Sequence, residues 1–277
     1  MKNKKKNLWK MIKAFGRSFP KATAGAVLGL ALIVAGSGLV GLQATGMALE
    51  GLAVGGSASA GRGERLLPIY SVQRPDKKIS ISFDAAWGDE HTKAILDTLD
   101  QYGVKTTFFL VDFWAQKYPA DVKEIADRGH ELGNHSATHP DMTKLSKEQI
   151  AAELNKTADT IEMIAGVRPA LFRPPFGSYN NAVIEACESL GYQVIQWSVD
   201  SLDWKEITAE QIVERVTRNV EPGSIVLFHN NAQYVEDYLP KILQSLIEQG
   251  YEIVPVGELI YKENYQMDHT GKQIPKQ

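Results

Sequence analysis

The sequence predicts an α/β fold in which a parallel sheet closes, or nearly closes, into a barrel, preceded by a segment able to cross a membrane. Two observations carry the fold. From Lys77 onward, seven short apolar runs alternate with stretches of helical periodicity over about 180 residues, the pattern of repeated strand-helix units. Several runs, Ile225-Val226-Leu227-Phe228 among them, are apolar without interruption, as strands buried on both faces are. An open doubly wound sheet is the second architecture these patterns allow.

The 277 residues, 44% hydrophobic and 23% charged, suffice for a sizeable core in one or two domains and exclude a disordered chain. Residues 1 to 61 hold eight Lys or Arg and one acid, which leaves 22 basic and 32 acidic residues downstream, a net of −10. That balance argues against nucleic acid as a partner of the main domain. After the basic residues 1–21, Ala22 to Leu49 runs 28 residues without a charge, long enough to span a bilayer core as a helix. Positive residues ahead of such a span keep the N-terminus in the cytoplasm, so a single-pass cell-membrane anchor with the domain outside is expected. Ala58-Ser59-Ala60 has the small-x-small pattern of signal peptidase sites, and cleavage near Ala60 would release the domain instead. Residues 50–76, rich in Gly, Ala and Ser, are expected to be a linker, residues 77–260 the folded domain and residues 261–277 a polar tail.

Within the domain, the expected strands are Lys78 to Phe83, Thr106 to Val111, Glu131 to His135, Leu171 to Pro174, Gln193 to Val199, Ser224 to His229 and Tyr251 to Val256. Helical spacing marks Lys147 to Ile164 through Ile150, Leu154, Ile161 and Ile164, and later Leu239, Ile242, Leu243, Leu246 and Ile247. The single cysteine, Cys187, rules out an intrachain disulfide and a thiolate zinc cluster, and its helical setting suggests inert packing.

The polar residues that interrupt this scheme fall at strand C-termini. Asp84 follows the first strand, His135 and His139 the third, Arg173 to Gly177 the fourth, Asp200 and Asp203 the fifth, and His229 closes the sixth. In α/β barrels that face carries the catalytic groups. Two histidines four apart suit a metal, which must be held by His and carboxylate here. Such a metal would polarise a carbonyl oxygen, with Asp84 as base toward its water and Arg173 keeping Asp84 ionised. His229, held by Asp203 or Asp200, could protonate a leaving nitrogen or oxygen. Together these roles describe hydrolysis of an amide or ester. Each residue taken singly has a plainer role: Asp84 and Asp203 as helix caps, Trp204 as core, His229 as a satisfied buried histidine. His91 and His269 are assigned no functional role.

The segments Ser82-Phe83-Asp84, His135-Ser136-Ala137-Thr138-His139-Pro140, Arg173-Pro174-Pro175-Phe176-Gly177, Asp200-Ser201-Leu202-Asp203-Trp204 and Leu227-Phe228-His229 resemble, in order, the five motifs of the polysaccharide deacetylases. This family is also called carbohydrate esterase family 4 or the NodB homology domain. The resemblance implies a distorted seven-stranded (β/α) barrel and metal-dependent removal of acetyl groups from cell-wall or chitin-like sugars, with peptidoglycan as the expected polymer and zinc or cobalt as the metal. It implies Asp84 as base, His135 and His139 as metal ligands, Arg173 as orienter of Asp84, and His229 as acid tuned by Asp203. It also implies an acetyl pocket lined by Trp197 and Leu227, beside Pro174 and Asp200, and an oxyanion contact from the Phe176 backbone N–H.

One motif departs from the family pattern. Where two adjacent aspartates are usual, the run is Asp84-Ala85-Ala86-Trp87-Gly88-Asp89-Glu90, so Ala85 stands at the position of a metal-ligating carboxylate. Two imidazoles plus water would bind metal weakly, unless Asp89 or Glu90 swings in. A glycan-binding protein without turnover is therefore the alternative expectation. The Phe-Asp-Ala-Ala-Trp-Gly variant and the N-terminal anchor resemble the sporulation-associated branch of the family.

Overall fold

The computed structural model describes residues 65–205 and 207–276. The expected membrane span over residues 22–49, the basic segment before it and the Ala60 cleavage site lie outside the described residues. Among the described residues, no helix is long and apolar enough to cross a membrane.

A two-residue strand, β1 (Ser71–Val72), precedes the main sheet. That sheet contains β2 (Lys78–Ala85), β3 (Thr107–Leu110), β4 (Glu131–Asn134), β5 (Leu171–Phe172), β6 (Gln193–Val194), β7 (Val199–Asp200) and β8 (Ile225–His229). The strands are parallel and lie in the order β6-β5-β4-β3-β2-β8-β7, with β9 (Glu252–Ile253) paired to the start of β2. Between them run α1 (Thr92–Gln101), α2 (Asp112–Lys117), α3 (Pro119–Asp127), α4 (Lys147–Ala165), α5 (Asn181–Ser189), α6 (Ala209–Asn219) and α7 (Val235–Glu248). A last turn, α8 (Val256–Leu259), follows β9.

Side-chain alternation sorts the strand residues into two layers. Ile79, Ile81 and Phe83 of β2 pack with Ile95, Leu99, Leu239 and Ile242 of the flanking helices. Phe109, Leu171, Ile195 and Ile225 form a second cluster inside the curl of the sheet, closed below by Val256 and Leu259. The same alternation turns Ser80, Ser82 and Asp84 inward. Helices α4 and α6 begin where sequence signals place them. Ser146 with Gln149 and Thr208 with Gln211 make reciprocal capping boxes, and Gly166 ends α4 in the left-handed conformation.

The curl stops short of closure. The expected strand from Gln193 to Val199 breaks into β6 and β7, which pair with β5 and β8 respectively and not with each other. The segment before β2 crosses that gap. Ile69 N–H donates to Val194 O at 2.8 Å and Gln196 N–H to Ile69 O at 2.7 Å, while Val72 N–H reaches Gly223 O at 3.0 Å. Gly223 has φ +83°, and a Cβ there would fall 1.7 Å from Val72 O, so only glycine admits this crossing.

Two expected boundaries are corrected by this arrangement. The linker does not extend to residue 76, since Ile69 and Val72 are buried in the inner cluster. Nor do residues 261–277 form a polar tail: β10 (Tyr265–Met267) and β11 (Lys272–Pro275) make a hairpin whose second strand pairs with β1. Gln273 is fully buried there, its amide bonded to both the N–H and the C=O of Tyr261. A buried glutamine with both ends satisfied looks polar in sequence and behaves as core. The expected last strand also shortens, because Val256 and Gly257 N–H groups turn to Thr107 Oγ1 and Glu131 Oε2 and begin α8.

Candidate active site

Asp84 is the inward residue at the end of β2, and it pairs in register with His229 on β8. Around this pair the strand C-termini enclose a cavity of about 610 Å³, lined by Asp84, His135, His139, Trp197, Leu227 and His229 among others. Pro174, Phe176, Asp200 and Trp204 also line it, so every residue expected at the site except Arg173 and Asp203 does. Those two sit directly behind Asp84 and His229.

Arg173 Nη1 donates to Asp84 Oδ1 at 2.8 Å, with Arg173 wholly buried and its guanidinium 4.1 Å over the Phe109 ring. Burial alone would raise the Asp84 carboxyl, but the charge of Arg173, with His135 and His229, outweighs it and holds the carboxyl below its ordinary value. Asp84 is therefore ionised at neutral pH. Asp84 makes no helix cap, as α1 starts without a side-chain cap.

His135 Nδ1 lies 2.7 Å from Arg173 O, which can only accept, so Nδ1 carries the proton and Nε2 keeps its lone pair. That lone pair faces Asp84 Oδ2 at 3.5 Å, and the His139 ring lies 4.9 Å from that of His135. The loop between them is strained, with Ser136 at φ +70° and His139 at φ +57°. Asn134 Oδ1 accepts from Ser136 N–H, and the Glu153 carboxylate of α4 accepts from both Ala137 and Thr138 N–H, which holds the turn in place. Burial, with the neighbouring His135, lowers His139 to about 4, and burial lowers His135 too, so both imidazoles are neutral at pH 7.

On the opposite side His229 Nδ1 meets Asp203 Oδ1 at 2.7 Å, and Asp203 Oδ2 accepts from His229 N–H and from Tyr238 Oη. Burial pulls the imidazole down, yet the hydrogen bond and charge of Asp203 prevail, and His229 is raised above its ordinary value. Asp203 caps nothing, since Thr208 caps α6. Asp200 turns its carboxylate onto Leu202 N–H at 2.9 Å and does not hold His229. Trp204 is 61% exposed and is a cavity wall, not core. Cys187 is buried, and burial pushes its thiol up to about 12, in keeping with inert packing.

The donor set falls short of a complete metal site. His135 and His139 present two nitrogens, while Ala85 is fully buried and Ala86 is the alanine that lines the cavity. Glu90 folds back onto Asp89 N–H, and neither acid lines the cavity, so the expected substitute ligand is not supplied. Among the described residues no group of three His, Cys, Asp or Glu is arranged to hold an ion. Sequence reading missed Tyr238, which looks like an ordinary apolar position of α7, and Glu153, one of many acids on a helix.

The polysaccharide deacetylase family model matches residues 71–195. A peptidoglycan-N-acetylglucosamine deacetylase of Bacillus cereus is 35% identical over 196 residues, covering 69% of this chain and 71% of its own. The chain belongs to the polysaccharide deacetylase family. Asp203 and His229 lie beyond the matched segment, yet the polysaccharide deacetylase fold brings His229 beside Asp84 and Asp203 behind His229. The uncharacterised protein YlxY of Bacillus subtilis is 36% identical over 194 residues, covering 70% of this chain, and this chain spans 60% of its length. Among solved structures, a family 4 carbohydrate esterase pseudoenzyme from Bacillus anthracis aligns with TM-score 0.68 at 33% identity, covering 75% of this chain and 70% of that one. A mutant of that pseudoenzyme with restored enzymatic activity aligns at 34% identity, covering 75% of this chain and 73% of its own, with the same TM-score.

Proposed function

We propose that this chain hydrolyses acetyl groups, N-acetyl foremost, from peptidoglycan or a related wall polysaccharide. One observation carries the reading: the Asp84 carboxylate, held below its ordinary value by Arg173, and the His229 imidazole, raised by Asp203, stand on adjacent strands and line one cavity with apolar walls. Asp84 takes a proton from the attacking water, and Arg173 keeps it ionised and aimed. The Phe176 backbone N–H meets the developing oxyanion. His229 hands its proton to the leaving nitrogen, which departs as a free amine while acetate remains. Trp197 and Leu227 hold the acetyl methyl.

The substrate class is supported by relatives that carry the name peptidoglycan deacetylase, the Bacillus cereus protein among them. Zinc or cobalt is the cofactor that family membership implies, bound weakly for want of a carboxylate at Ala85. The charge-free span over residues 22–49 supports an extracytoplasmic domain on a membrane anchor, and the Ala-Ala-Trp-Gly variant supports a role in spore wall maturation. The test is acetate release from acetylated peptidoglycan by the full chain with added Zn²⁺ or Co²⁺. Asp84→Asn is expected to abolish it, and activity that survives this change removes the mechanism.

The incomplete donor set, together with the likeness to a pseudoenzyme, favours a second reading, a glycan-binding protein without turnover. Glycan binding with no acetate released at any metal concentration would establish it.

A further inference from the structure

We propose that Trp87, flanked by Phe113, is a stacking platform for a sugar of a glycan chain, one position away from the sugar whose acetyl group enters the cavity. The proposal rests on the glycan reading of the cavity but not on turnover. Trp87 lines the cavity and is nonetheless 56% exposed, an unusual place for the largest apolar side chain. Its loop is braced from two sides. The Gly88 carbonyl accepts from Trp114 Nε1 at 2.6 Å and from Asn230 Nδ2 at 2.9 Å, and both donors belong to residues 1% exposed. Gly88 itself has φ +65°, the left-handed region that favours glycine.

The indole is also held by its neighbours. His139 packs edge-on at 5.1 Å, and Phe113 lies at 6.3 Å with a 49° tilt. His139 in turn packs edge-on against Phe176 at 4.6 Å. A row of rings, Phe176, His139, Trp87, Phe113, thus runs along the cavity and past it, with Phe176, Trp87 and Phe113 all exposed to solvent. A pyranose presents a face of C–H groups that matches a flat, electron-rich indole. Because the loop is already fixed, stacking there costs little conformational entropy, and a rigid exposed aromatic is the kind of side chain that anchors recognition. The row therefore favours a chain of sugars over a single one.

The experiment titrates N-acetylglucosamine and its β-linked oligomers, up to the tetramer, into the full chain by calorimetry, alongside an acetate assay on the tetramer. The expected result is affinity that rises with length, a tetramer bound about five- to tenfold more weakly by Trp87→Ala, and most of that loss recovered in Trp87→Phe. The melting temperature should not change in Trp87→Ala. Equal tetramer affinity in Trp87→Ala, or no dependence on length in the unaltered protein, overturns the platform. Length-dependent binding lost in Trp87→Ala without any acetate supports the platform and removes the hydrolytic reading. Acetate release indifferent to Trp87 does the reverse.

Discussion

The phenol of Tyr238 and the imidazole of His229 converge on one carboxylate, Asp203, at 2.8 Å and 2.7 Å. Tyr238 is fully buried, and Asp203 is 5% exposed, so the contact is sheltered from competing water. Tyr238→Phe removes one donor and leaves a buried lone pair unmatched, which is expected to cost about 1–3 kcal/mol in urea unfolding. With its charge less neutralised, Asp203 should hold the His229 proton more tightly, moving the alkaline limb of the activity profile upward. Asp203→Asn should move that limb downward. For stability the sign is that of a raised histidine: the pairing is fully present below about pH 6.5 and fades as pH rises through the higher folded value.

Arg173 and Asp84 make the second buried pair, and removing the cation alone leaves a carboxylate stranded. Arg173→Met is expected to destabilise the protein by about 3–5 kcal/mol at neutral pH, measured by denaturant unfolding. Because the Asp84 carboxyl is held low in the folded state, the unaltered protein loses this contribution as pH falls through the carboxylate range. In Arg173→Met the acidic limb of any acetate-release profile should shift to higher pH.

His130 is a separate source of acid sensitivity, away from the cavity. Its Nδ1 accepts from Thr106 N–H at 3.2 Å, so Nε2 carries the proton, and that atom is buried without a partner. Burial lowers the imidazole to about 4. The unfolded chain then binds the extra proton first as pH falls below about 6.5, and stability should drop by about 3 kcal/mol by pH 4. Unfolding at pH 7 and pH 4 checks this, and His130→Leu should show a flatter profile across that interval.

A carboxylate at the strand end tests the missing ligand. Ala85 is fully buried, so Ala85→Asp is expected to lower the melting temperature in chelator, since an unpaired charge is enclosed. Added zinc should restore much of the loss and raise bound metal toward one ion per chain by elemental assay, because binding the folded state alone stabilises it. A melting temperature indifferent to zinc would show that the position cannot ligate.

Much of the site was legible because its chemistry is written in residue types at strand ends. His135, His139, Asp84, Arg173 and His229 could be placed on one face from the spacing of apolar runs alone, since alternation and strand length are local properties. The resemblance implies Asp203 beside His229, and the two side chains stand 2.7 Å apart. The residues alone leave Asp203 and Asp200 as alternative partners of His229, because two aspartates three apart look equivalent until the backbone turns the Asp200 carboxylate onto Leu202 N–H.

By itself the sequence determined the α/β class, the seven parallel strands, the capped helices and the face that carries the polar residues. Each of these depends on periodicity or capping within about twenty residues of chain. Only the tertiary structure decided that the curl stays open between β6 and β7, and that residues on either side of the expected domain close over it. It also decided that Tyr238, 35 residues away, steadies Asp203, and that the Ala-Ala-Trp-Gly loop holds Trp87 out beside His139. Such contacts join segments far apart in the chain, where the deciding terms are packing and the satisfaction of buried polar groups, and neither leaves a period to read.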